Sequence, residues 1–305
     1  MKTGWLINDT LTCIPGTKTF WHDLLDWLPN LHDKCNGLTP FSILPEVIEN
    51  KYEKDSKPDY IIRNASYFRK LNIKTKTICL LQDVLYDKHM QLDVCNNSDI
   101  VVFNSPYTKY VYDKLITVPK VVIPLGVNFN KFIPMQHSFS EELNILPDSI
   151  LFIGSATNNP KGFDILLDII ANTTYNFCLV MKDDYVSNNS RVKVFNKVDH
   201  IKLVKIINSC KMLICTSRIE TLHLAGVEAA ACNLPIVTTN VGIYHNLSSG
   251  KWGRNIIDAT TKAFIEQLEY VFNNYSYFQP RDTFYDLGLD ILTCKKKWIH
   301  LINSL

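Results

Sequence analysis

The chain of 305 residues has no C-x-x-C pair, only 11 glycines, and a formal net charge of just +2. Without paired thiol spacing, its nine cysteines (an odd number) carry no zinc-ribbon signature. Several lie inside apolar runs, such as Ile207-Asn208-Ser209-Cys210-Lys211-Met212-Leu213-Ile214-Cys215, and read as small buried thiols of a reducing compartment. The near-neutral balance excludes a chain drawn as a whole to nucleic acid or an anionic membrane, although a local basic face stays open. No segment approaches the ~18 uninterrupted apolar residues of a bilayer-spanning helix. The opening Met1-Lys2-Thr3-Gly4-Trp5 leads into no long apolar h-region, so a cytoplasmic location is expected, with peripheral membrane association left open.

What is present is ordinary for a folded protein: 46% hydrophobic, 20% charged and 11% aromatic residues. Short apolar runs alternate with longer amphipathic ones, the pattern of α/β units with largely parallel sheets. Strands are predicted at 5–8, 60–63, 77–81, 100–103 and 121–124, with helices at 20–28, 65–71 and 107–115. The alternation restarts with strands at 150–153, 177–181, 212–215 and 236–238. Helices are predicted at 162–171, 200–209, 222–232 and 263–273, and a terminal one at 286–302. The polar, proline-containing stretch 128–147 reads as the connection between two domains. The expected division is 1–130 and 131–283, followed by a terminal helical segment, 284–305. Two open α/β units of this kind bind ligands beyond the carboxyl ends of their strands.

The most informative stretch runs from Ser217 to Val237, following one apolar strand and opening a helix. Glu220 falls at the loop or first turn, where unpaired N–H groups and the positive dipole end favour a phosphate or an ionising leaving group. Glu228 lies two turns further on, and its carboxylate can accept from the adjacent hydroxyls of a ribose. Two acids early in a helix can equally just complement its dipole. Upstream, the strand ending in Gly154 leads through Ser155 to Lys161 at a helix start, a set able to hold a diphosphate or simply to be solvated. In the N-terminal loop, Gly16 would let the backbone approach a diphosphate or acceptor, or serve as a plain turn.

These motifs together resemble the retaining glycosyltransferases of family 4, with the GT-B fold. The resemblance runs from about Val101 to the end of the chain and is most specific in the second half. A Glu-x7-Glu signature falls on Glu220 and Glu228. The pattern Glu-Ala-x-Ala-x-x-x-Pro-x-Val is met by Glu228, Ala229, Ala231, Pro235 and Val237, and Lys-Gly-Phe by Lys161, Gly162 and Phe163. Asn104–Thr108 and Ile123–Pro134 match two further family segments. The resemblance implies two Rossmann-like domains facing each other across a cleft: 1–130, binding the acceptor, with the C-terminal helix 284–305 crossing back to it, and 131–283, binding the nucleotide-sugar. It implies transfer of a sugar from a UDP- or GDP-sugar to an acceptor hydroxyl with retention, without metal or other cofactor. Glu228 would bind the donor ribose. Glu220, with the amides of Leu222 and His223, would contact the transferred sugar, and Lys161 would stabilise the departing diphosphate.

The sequence departs from the family in three places. The usual arginine ahead of the lysine is Ser155, so one diphosphate cation is missing; Arg218 or Lys182 are candidates to replace it. Thr221-Leu222-His223 stands where Gly-Phe-Gly is usual, and His223 either touches the sugar or points away. The usual His-Asp after a first-domain strand reads Gln82-Asp83, leaving Asp83 to orient the acceptor or to be an ordinary strand-end acid. The acceptor is expected to be a glycan or small molecule. The basic run Arg63, Arg69, Lys70, Lys74 and Lys76 keeps a modified DNA base or a membrane lipid as alternatives. A non-catalytic nucleotide-sugar-binding protein, and a phosphorylase or epimerase of the same architecture, complete the readings.

Overall fold

The computed structural model describes residues 2–7, 24–34, 45–64, 71–84, 89–136, 138–157 and 159–305. The chain divides into two compact units: Met1–Leu125 with Leu292–Leu305, and Gly126–Ile291. Each holds one six-stranded sheet whose strands are all parallel.

In the first unit the strands are β1 (Gly4–Ile7), β2 (Leu31–Asp33), β3 (Tyr60–Asn64), β4 (Lys76–Leu81), β5 (Ile100–Phe103) and β6 (Lys120–Val122), in the order β2-β1-β3-β4-β5-β6. The central strands are buried on both faces, which is why they read as continuous apolar runs such as Ile100-Val101-Val102-Phe103. The described helices of this unit include Pro45–Lys54, His89–Asn96 and Pro106–Tyr112. Ser105 caps the last by accepting from the Thr108 amide at 3.0 Å, and Pro106 fits the first helical position because its missing N–H would be unpaired there anyway. The terminal helix Ile291–Ser304 belongs to this unit over nearly its whole length, burying Cys294, Trp298, Leu301 and Ile302.

The second unit has β7 (Ile150–Gly154), β8 (Phe177–Met181), β9 (Val192–Asn196), β10 (Met212–Cys215), β11 (Ile236–Thr239) and β12 (Gly253–Ile256), ordered β12-β11-β10-β7-β8-β9. The chain builds outward from β7 to β9, then returns to lay β10 on the other side of β7. Helix Phe163–Ala171 buries Phe163, Leu166, Ile169 and Ile170, an apolar stripe at helical spacing, and shares a core with β7, β8 and helix Thr261–Asn273. Each such large side chain contributes roughly 1.5–3 kcal/mol by leaving water. Asp199 caps helix His200–Ile207 and Thr260 caps Thr261–Asn273 through their side chains.

The boundary differs from the expected connection. Residues 128–147 belong to the second unit, where Phe129, Phe132 and Ile145 are buried. Arg281 donates to the carbonyls of Phe129 (2.9 Å) and Phe132 (2.9 Å), and Val127 bridges to Asp290. A few aromatic anchors and one guanidinium thus hold a stretch that has no strand pattern.

Candidate functional site

The strand order of the second unit reverses between β7 and β10. Connections leaving these neighbours run to opposite sides of the sheet and open a crevice at their carboxyl ends, where doubly wound sheets bind ligands. The motif residues sit on these two connections. Gly154 ends β7, Ser155 follows it, and Lys161 closes a short 3-10 turn, Asn159–Lys161. Residues 216–223 follow β10 and lead into helix Leu224–Ala231.

The two loops are knitted together. Thr216 Oγ1 donates to the Lys161 carbonyl at 3.0 Å, and the Arg218 amide donates to the Pro160 carbonyl at 2.7 Å. Between them Gly162 adopts φ +63°, and a Cβ there would lie 2.0 Å from the Thr216 carbonyl oxygen, so only glycine fits. The result brings Lys161 Nζ to 2.5 Å from Glu220 Oε1, which also accepts from Ser217 Oγ at 2.8 Å. Burial pushes the Glu220 carboxyl up, but the charges of His223 and Lys161 and the bonds from Lys161 and Ser217 outweigh it and hold the pKa below its ordinary value. The Glu220 side chain is 11% exposed and Lys161 28%. An ammonium group this close to a half-open mouth can meet an anionic ligand.

Glu228 is placed differently. It sits within helix Leu224–Ala231, and its carboxylate makes no hydrogen bond or ion pair to any described residue. Burial raises its pKa to about 7, with the nearby charge of His223 acting in the opposite sense. A half-buried acid without partners is the acceptor a ligand diol would satisfy.

His223 points away from solvent: it is 7% exposed, and its Nδ1 lies 2.9 Å from the Tyr244 hydroxyl. Its backbone, at φ 74°, forms the left-handed turn that caps the helix. The Cys215 thiol and the ring also act on each other electrostatically, each favouring the charged form of the other. Burial lowers the pKa of His223, but Cys215 and Glu220 outweigh it and raise the imidazole; burial likewise opposes ionisation of Cys215, and the histidine more than offsets it. Among the described residues, Cys215, Glu220 and His223 form one group whose ligating atoms lie within 4.8 Å of one another. The amides of Leu222 and His223 donate to no described acceptor, which leaves two N–H groups available just ahead of the helix.

Other expected residues fall elsewhere. Arg218 is held in a bidentate pair with Asp164, Nη1–Oδ1 2.8 Å and Nη2–Oδ2 2.5 Å, so its guanidinium is already engaged. Ser155 is buried and donates to Asp183, whose Oδ2 also accepts from the amides of Ala156 (2.9 Å) and Thr157 (3.2 Å). In the first unit Asp83 follows β4, and burial raises its carboxyl pKa. Gly16 lies outside the described residues. The basic run does not form one face: Arg63 is 2% exposed inside β3, Lys76 pairs with Asp99 at 3.2 Å, and Arg69 and Lys70 lie outside the described residues. Sequence reasoning missed Ser217, Tyr244 and Asp183. Ser217 was visible, three residues before Glu220; Tyr244 and Asp183 reach the site only through the fold.

Residues 147–274 match the family model described as Glycosyl transferases group 1. In Methanocaldococcus jannaschii an uncharacterised glycosyltransferase is 28% identical over 159 residues, 48% of this chain and 41% of that protein. A probable sucrose-phosphate synthase of Thermosipho melanesiensis is 28% identical over 207 residues, 60% of this chain and 47% of that protein. The chain thus spans less than half the length of these curated relatives. Solved structures match along its whole length: sucrose-phosphate synthase from Thermosynechococcus elongatus (TM-score 0.79, 13% identity, 99% of both chains) and Anabaena HepE with UDP-glucose (TM-score 0.77, 14% identity, 100% of both). The chain has the GT-B fold. Among the described residues no helix is long and apolar enough to cross a membrane. Of the expected small thiols, six of the seven described are buried and all seven are unbridged.

Proposed function

We propose that this protein is a glycosyltransferase that moves a hexose-like unit from a nucleoside-diphosphate sugar, a UDP- or GDP-sugar, to an acceptor hydroxyl with retention of configuration. The observation that carries the reading is the pairing of Lys161 with Glu220 at the carboxyl ends of β7 and β10, with partnerless Glu228 on the following helix. Glu228 accepts from the donor ribose. Glu220 and the amides of Leu222 and His223 take hydroxyls of the transferred sugar.

Lys161 meets the diphosphate as negative charge grows on the leaving oxygen, and helps most in the transition state because it is fixed before the reaction begins. On Arg218's engagement with Asp164, Lys161 is the side-chain cation of this step, and transfer needs no bound metal. Asp83 orients the acceptor, a glycan or small molecule. HepE, crystallised with UDP-glucose, supports a uridine donor. The test is to incubate the full chain with UDP- and GDP-sugars and follow nucleoside diphosphate release, with and without candidate acceptors. Release that requires Lys161 and Glu228 supports the reading; unchanged release by Lys161→Ala would refute it.

A further inference from the structure

Cys215, Glu220 and His223 lie outside any zinc motif, yet they gather a thiol, a carboxylate and an imidazole at one point behind the mouth of the site. We infer that this triad is a binding site for a thiophilic divalent cation of the zinc class, and that its occupation inhibits the enzyme.

The geometry supports it in three ways. First, with the three ligating atoms no more than 4.8 Å apart, some point lies within about 2.8 Å of all of them, so shifts of about half an ångström to an ångström reach zinc–ligand distances of ~2.0–2.3 Å. Second, the Tyr244 hydroxyl occupies His223 Nδ1 at 2.9 Å, which leaves Nε2 for a ligand and fixes the ring, the supporting partner that ligating histidines characteristically have. A Cβ on Gly226 would stand 1.7 Å from that hydroxyl, so the absence of a side chain there lets Tyr244 reach the ring. Third, the donors are of mixed hardness, one sulfur, one nitrogen and one oxygen, which selects zinc, cobalt or cadmium over magnesium or calcium. Cys215 and His223 are 2% and 7% exposed. Entry is from the Glu220 side, and water completes the coordination. Binding as thiolate releases the thiol proton.

Inhibition follows from the shared carboxylate. The metal fixes Glu220, which the proposed transfer needs for the sugar, and sets a second positive centre beside Lys161. This inhibitory half rests on the function proposed above; the binding half does not.

The experiment therefore has two arms on the full chain. In the first, Co2+ is titrated against the metal-free protein and the thiolate-to-cobalt charge-transfer absorbance is followed. Wild type should show the band with one equivalent of metal. Cys215→Ser should lose it, and His223→Asn, which suits the left-handed backbone, should weaken binding by more than the ~10–100-fold that loss of a supporting partner costs. No band, or a band that survives in Cys215→Ser, overturns the site whatever the protein's activity. In the second arm nucleoside diphosphate release is measured with Zn2+ and after chelation. Turnover should fall with Zn2+ and recover with chelator, and the ratio between the two conditions should approach one in Cys215→Ser. Zn2+ leaving wild-type turnover unchanged, or raising it, refutes the inhibitory half while the cobalt arm stands.

Discussion

Glu228 offers the sharpest quantitative test. Its carboxyl pKa is raised from 4.5 to about 7, chiefly by burial. A carboxylate raised in the folded state is unstrained while protonated, below its unfolded value. It destabilises the fold progressively as pH climbs from 4.5 to about 7, and by a constant amount above that. At 1.36 kcal/mol per unit, the full penalty is on the order of 3 kcal/mol.

Glu228→Gln removes the ionisation but leaves an amide in the same poorly solvated place, a cost that does not change with pH. The difference between two pH values isolates the charge. Relative to wild type, the variant should therefore gain on the order of 3 kcal/mol in going from pH 4.5 to pH 8, or roughly 6–12 °C in Tm at ~2–4 °C per kcal/mol. The assay is thermal unfolding of both proteins, without nucleotide, at both pH values. A Tm difference that is the same at pH 4.5 and pH 8 would refute the reasoning. Under the proposed function the same protonation bears on the ligand, because a ribose diol would satisfy the ionised carboxylate. Binding of UDP to wild type should release a proton and tighten as pH rises through 7, measurable by calorimetry in buffers of different ionisation enthalpy, and Glu228→Gln should lose both signatures.

Lys161→Ala should cut turnover by about 100-fold or more, the scale on which removal of one preorganised stabilising group acts, and should also lower Tm, because the nearly buried Glu220 carboxylate loses its ammonium partner. Arg218→Ala should alter neither turnover nor KM appreciably and should cost at most about 1 kcal/mol, because its pair with Asp164 is solvent-exposed; a large loss of turnover would return Arg218 to the diphosphate. Gly226→Ala drives a methyl to 1.7 Å from Tyr244 Oη and should lose about 1–3 kcal/mol, partly recovered in the double variant with Tyr244→Phe; thermal melts of the three variants decide it.

The buried central strands were legible because an all-parallel sheet covered on both faces writes itself as runs such as Ile150-Leu151-Phe152-Ile153. The edges were not. β2 has three residues, β12 reads Gly-Arg-Asn-Ile, and β9 is only half-buried, so none carries enough apolar pattern to announce a strand. Helix Pro45–Lys54 also went unread, since its sequence, Pro-Glu-Val-Ile-Glu-Asn-Lys-Tyr-Glu-Lys, is strongly polar. At the site, the two acids and the lysine were visible from spacing, whereas the left-handed cap at His223 was not: the expected helix began at 222 and the observed one begins at Leu224. What the spacing could not tell was the fate of individual side chains. Arg218 turned to Asp164 and His223 to Tyr244, choices made by partners 54 and 21 positions away. The His223 side chain, where the resembled family usually has glycine, is absorbed inward, because a left-handed backbone and the small Gly226 direct the ring toward the core.

The first unit is assembled from two separated pieces of chain, whereas the second is continuous from 126 to 291. During synthesis the second can therefore complete its core as soon as its own residues emerge. The first must wait, with the surface that receives Trp298 and Ile302 uncovered, until residues 292–305 leave the ribosome. For that interval the nascent chain exposes an apolar seam, and a premature stop near residue 290 would make the exposure permanent: a folded half tethered to an aggregation-prone one.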